Sequence, residues 1–134
     1  MNYPVDFTED MRKQGICGVL AIAVASNRSM KQAHEACARN LMPHQKRHVK
    51  RTYDEQIIAS ILGFGKSVEH LEVARQNLRS WVSRCARPGE HYLVFVSGHV
   101  LTVKNGLVLD QHSYAPVDEH PSRRQFVQRV MRIY

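Results

Sequence analysis

Three side chains in this sequence have the types and order needed to act together on an acyl bond: Cys17, His99 and Asp110. Cys17 lies in Gly15-Ile16-Cys17-Gly18, a glycine-flanked stretch that runs into the small and apolar residues Val19 through Ala25. That run predicts a helix buried on most sides and closed by the turn formers Ser26 and Asn27. A thiol at such a helix start is acidified, because unpaired N–H groups and aligned peptide dipoles favour the thiolate. The same N–H groups can stabilise an oxyanion. The plainer reading of Cys17 is a small buried hydrophobe. Cys37 and Cys85 fall inside helical patterns among apolar residues, where thiols are inert packing groups.

The other two residues are tied together by a hairpin. Asn105-Gly106 is a strong two-residue turn signal, since a type I′ turn needs positive φ at both positions. With that turn, Val103 stands opposite Val108, Leu101 opposite Asp110, and His99 opposite His112. Alternation then places His99, Leu101, Val103, Val108, Asp110 and His112 on one face, with His99 and Asp110 diagonal neighbours. A carboxylate on one imidazole nitrogen fixes the tautomer and frees the other nitrogen to take a proton or stabilise a thiolate. His112 reads either as a substrate contact or alternative base, or as a half-exposed histidine at a strand end.

These residues need a scaffold of helices followed by a sheet. Ser29 with Gln32 forms a capping box for a second helix carrying Met30, Ala33, Ala36 and Cys37 at helical spacing, and Thr52 with Glu55 does the same for Ile57, Ile58, Ile61 and Leu62. A further helical pattern, Leu78, Trp81, Val82 and Cys85, stops before Pro88. From Tyr92 the residues become β-branched and aromatic, over Tyr92 to Val96, His99 to Val103 and Leu107 to Leu109, with Phe126 to Tyr134 as a closing strand. The fold class is α+β, with helices first and an antiparallel sheet second. No repeat or linker divides the chain, so residues 1–134 read as one domain.

Composition narrows the classes further. Hydrophobic residues are 43% and charged residues 23% of 134, a balance that excludes disordered, collagen-like and coiled-coil proteins. Three cysteines without CxxC spacing argue against a disulfide framework and a four-cysteine zinc site. No apolar window is long enough for a membrane span and the N-terminus lacks a signal-peptide pattern, which places the protein in the cytoplasm.

Gln14-Gly15-Ile16-Cys17-Gly18, the apolar helix behind it, Tyr92-Leu93-Val94 leading to Ser97-Gly98-His99, and Asn105 to Asp110 together resemble the papain-like cysteine peptidases. The likeness runs from Gln14 to Asp110 and is greatest to small single-domain papain-like proteins of bacteriophages and bacteria. In outline it extends to the bacteriocin-processing peptidase domains of ABC transporters. The resemblance implies a papain-like fold and thiol-dependent cleavage of peptide or isopeptide bonds without a cofactor. Cys17 would be the nucleophile, His99 the base and then acid, and Asp110 its orienter. It also implies a protein or peptide substrate, of the host or the phage, met in the host cytoplasm if the chain is phage-encoded. Such families carry an amide about six positions before the nucleophile to complete the oxyanion hole. Met11 occupies that position here, and Gln14 is the nearby amide.

The net charge of +7 is concentrated, with six Lys and Arg against one acid over residues 31 to 52. Within it, Lys46, Arg47, Lys50 and Arg51 form a loop that could grip a nucleic acid or an acidic protein surface, or simply remain solvated. No aromatic residues interleave as stacking platforms. His44 and His48 have the i, i+4 spacing of zinc-binding helices, but the residues between them lack the required Glu and bring cations beside any metal. Two function classes therefore stand: a cysteine hydrolase, and a binding module of the same fold that inhibits a host factor through its basic surface.

Overall fold

The computed structural model describes residues 3–8, 11, 17–40 and 54–134. The basic loop residues Lys46, Arg47, Lys50 and Arg51, the amide Gln14, Thr52, and the pair His44 and His48 lie outside the described residues.

Helix α1 (Cys17–Ser26) is the apolar run anticipated from sequence, and Gly18 through Ala23 are all buried. It ends in a Schellman motif: Asn27 takes φ 54° while the N–H groups of Arg28 and Asn27 bond to the carbonyls of Ala23 and Val24. Helix α2 (Met30–Arg39) begins with the anticipated capping box of Ser29 and Gln32, and Asp6 Oδ1 accepts from the Met30 N–H at 2.8 Å. Met30, Ala33, Ala36 and Cys37 form its buried face. Helix α3 (Asp54–Gly63) buries Ile57 and Ile61, while Leu62 is exposed. Helix α4 (Leu78–Cys85) is capped by Asn77, whose side chain accepts from the Ser80 N–H. Its Trp81 meets Tyr92 edge-on, with ring centroids 5.0 Å apart.

Six strands form one antiparallel sheet: β1 (Val68–Leu71), β2 (His91–Val96), β3 (His99–Lys104), β4 (Leu107–Leu109), β5 (Tyr114–Pro116) and β6 (Arg129–Ile133), in the spatial order β1-β6-β2-β3-β4-β5. The α+β class is as expected from sequence, but the partition into helices and then sheet is not. Strand β1 precedes α4, and β6 is inserted between β1 and β2 rather than closing an edge. Side-chain alternation divides the core. Leu93, Phe95, Val100, Leu109 and Met131 pack with α1, α2 and α3, whereas Tyr92, Val94, Leu101, Val103 and Val130 pack with α4. Truncating a fully buried residue such as Ile22 or Leu93 to Ala would cost about 2–5 kcal/mol through lost contacts and the cavity left behind. Among the described residues no helix is long and apolar enough to cross a membrane.

Candidate active site

Two tight turns carry the sheet residues of the site. Ser97-Gly98 joins β2 to β3 with Val96 paired to His99, and Gly98 takes the positive φ of 68° that the turn demands. His99 is therefore the first residue of β3, at the strand end nearest the start of α1. At the other end of β3, Asn105 and Gly106 have φ values of 52° and 76°, and the anticipated register holds for Thr102–Leu109, Val103–Val108 and Lys104–Leu107.

The ladder then stops one pair short of Leu101–Asp110. The Asp110 N–H bonds to the Ser113 carbonyl, and Asp110 Oδ1 accepts from the N–H groups of His112 and Ser113 at 2.8 and 2.7 Å. This side chain bends the backbone into β5, as Asp does when it captures N–H groups two and three residues on. The expectation that His112 faces His99 is therefore incorrect. His112 is exposed on the turn, its ring 2.9 Å from the Gln111 amide.

The turn leaves Asp110 Oδ2 directed at His99, whose Nε2 lies 2.9 Å away. Cys17 lies beside the same ring, and its thiol is influenced by His99 and by the backbone N–H groups of Val100 and Gly18. Cys17, His99 and Asp110 thus form a continuous relay from the first residue of α1 across two strands. Tyr3 secures the far end by donating from its hydroxyl to the Asp110 carbonyl at 2.8 Å.

Electrostatics couple the three groups. Burial alone would push the Cys17 thiol up, but bonding and attraction to His99, aided by the two N–H groups, hold it below its ordinary value. His99 is raised to about 9, first by its hydrogen bond to Asp110 and then by Cys17, against an opposing effect of burial. Burial likewise works to raise Asp110, yet the bonds from His99, His112 and Ser113 bring it below the usual carboxylate value. The shifts of Cys17 and His99 both run toward a thiolate beside an imidazolium backed by a carboxylate.

A second imidazole, not anticipated from sequence, stands behind this relay. His120 is fully buried, its Nδ1 accepts from the Ser122 N–H at 3.0 Å, and its Nε2 lies 3.5 Å from Asp110 Oδ2. Only the return of the chain through β5 and the 3₁₀ turn Val117–Glu119 brings it there. The local sequence offers little warning beyond Pro121, which favours an extended His120 before it. Met11 packs half-buried against the core and donates its N–H to Thr8, so it contributes no side-chain amide to the site. Cys37 is buried, whereas Cys85, expected to be an inert packed thiol, is exposed because it is the last residue of α4.

Compared with protein-family models, with curated proteins and with solved structures, the chain finds no match in any of the three.

Proposed function

We propose that the protein is a papain-like cysteine hydrolase that cleaves peptide or isopeptide bonds. The observation that carries this reading is the relay itself: a half-buried thiol at a helix start, beside a histidine whose Nε2 is held 2.9 Å from a buried carboxylate. In the reaction, the Cys17 thiolate attacks the substrate carbonyl carbon, and the carbonyl π electrons move onto oxygen. N–H groups in the first turn of α1, which have no acceptor within the helix, are suited to that oxyanion. The oxyanion collapses, the C–N bond breaks, and the His99 imidazolium gives its proton to the leaving amine, producing a thioester on Cys17. His99, now neutral, removes a proton from water as the water attacks the thioester. The thiolate then leaves and the imidazolium is restored. Asp110 remains ionised throughout and keeps the ring in place.

Mass-mapped alkylation with iodoacetamide at mildly acidic pH tests the assignment sharply, because Cys85 is the more exposed thiol. Cys17 should be modified first despite its burial. Cleavage of a mixed peptide library by the wild type but not by Cys17→Ser is the matching functional result. Prior reaction at Cys85 or Cys37, or equal action of Cys17→Ser in a cellular assay, would leave the chain as a binding module.

A further inference from the structure

A cleft of about 500 Å³ opens at the other end of α1, where Val24, Ala25 and Asn27 face Lys66, Lys104, Leu107 and Tyr114. Its first lining residues on the helix, Val24 and Ala25, are two turns beyond Cys17, which corresponds to roughly 11–12 Å along the helix axis. It therefore lies apart from the relay.

The sheet register explains its polar floor. His91 of β2 is paired directly with Lys104 of β3, and Thr102 lies two residues along on the same face, so all three side chains point toward α1. Thr102 is 4% exposed, and among the described residues neither its hydroxyl nor His91 Nε2 has a hydrogen-bond partner. Buried polar groups are ordinarily paired, and an apolar residue would fill either position at lower cost. Both orphaned groups line the cleft.

The charge around them has one sign. Lys66, half-buried after α3, and Lys104, exposed at the end of β3, are both on the lining, and no carboxylate is among the described lining residues. The carbonyl end of α1 also borders the cleft. Two of those carbonyls are already taken by the N–H groups of Arg28 and Asn27, which leaves the lysines dominant.

We propose that this cleft is a binding site for a small organic anion, whose acidic oxygens meet Lys66, Lys104, His91 and Thr102 while its apolar part lies on Leu107, Leu109 and Tyr114. Desolvation, followed by repulsion from Lys104 and Lys66, lowers His91 to about 4. The imidazole is therefore neutral near pH 7 and supplies a hydrogen bond, and a bound anion would ease its protonation.

Two probes at constant ionic strength test the site by NMR near neutral pH: inorganic phosphate and benzoate. The expected result is saturable shifts at His91 and Thr102 but not at Cys17, with His91 titrating about one pH unit higher when the anion is bound. Lys104→Met should weaken binding about 10-fold, and the isosteric Thr102→Val about 3-fold, through loss of one charged and one neutral contact. Saturation by benzoate identifies a carboxylate ligand and saturation by phosphate a phosphorylated one; either supports the site. Shifts that never saturate, or saturation unchanged in both variants, would overturn it.

Discussion

His99 and His91 stand near opposite ends of the same pair of strands, and their surroundings drive them in opposite directions. His99 has a carboxylate 2.9 Å from its Nε2 and the Cys17 thiol beside it, and it is raised to about 9. His91 is half-buried beside Lys104 and Lys66, its Nε2 without a partner among the described residues, and it is lowered to about 4. One side-chain type is thus held charged where the proposed chemistry needs a proton donor, and neutral where a second cationic surface already exists. The lesson is that titration follows the neighbours and not the residue, which is why two half-buried histidines on one sheet can have separate purposes.

The largest expected effect is at the charged end. Cys17→Ser should reduce peptide-library cleavage on the order of 10⁴-fold, and His99→Ala should do about the same, since groups that act as one unit lose similar activity singly or together. Liquid chromatography of the digest measures both. A much smaller loss for His99→Ala would break the coupling between thiol and ring.

At the neutral end the effect is on stability, and its sign follows from proton binding. Between pH 6.5 and about 4 the unfolded chain protonates His91 while the folded chain does not, so stability falls as pH falls through this window. The full loss from this residue is about 3 kcal/mol, with no further contribution below the folded value. His91→Gln should flatten the acid limb of urea midpoints measured across this range. Some slope remains because buried His120 is also lowered. An identical slope in wild type and variant would remove His91 from the comparison.

Asp110→Asn gives a smaller change. It removes the largest cause of the raised His99 value, so His99 should titrate nearer its ordinary 6.5. Cys17 alkylation near pH 6 should then slow about 10-fold as the thiolate loses its cationic partner. The His99 ring resonance reports the first effect and iodoacetamide kinetics the second. An unmoved His99 would mean that Cys17 alone sustains its charge.

The sequence made the helices and the Asn105-Gly106 hairpin legible because each rests on local signals: the α1 run, the Ser29 capping box and positive φ at two turn positions. The contact of His99 with Asp110 was anticipated from the hairpin register, although the ladder stops before Asp110 and the turn that follows aims its Oδ2 at the ring. Strand β1 was not, since its four residues are half-buried or exposed and pair with β6 about sixty residues away. The position of His112 was missed because Asp110 competes for the backbone: its side chain captures the N–H groups of His112 and Ser113 and ends the ladder early. Strand β5, and through it His120, depends on that turn.

His120 sharpens the comparison because it belongs to the active end by position but resembles His91 in character. Its Nδ1 accepts from the Ser122 N–H, so the neutral ring carries its proton on Nε2, facing Asp110 Oδ2 at 3.5 Å. Burial is the first cause that lowers it, outweighing the attraction of Asp110, and His99 adds repulsion. At that distance the Nε2–H contributes weak attraction and no well-formed hydrogen bond, whereas Asp110 already has His99, His112 and Ser113 as donors. His120→Phe should therefore slow Cys17 alkylation by about 3-fold or less, well under the Asp110→Asn effect. Stability should fall by about 1–3 kcal/mol, because the buried Ser122 N–H loses its acceptor. Urea denaturation and iodoacetamide kinetics on the same variant separate the two effects. A slowing as large as that of Asp110→Asn would show His120 to be a full member of the relay, and distance alone would no longer explain why one histidine at this end is charged and the other neutral.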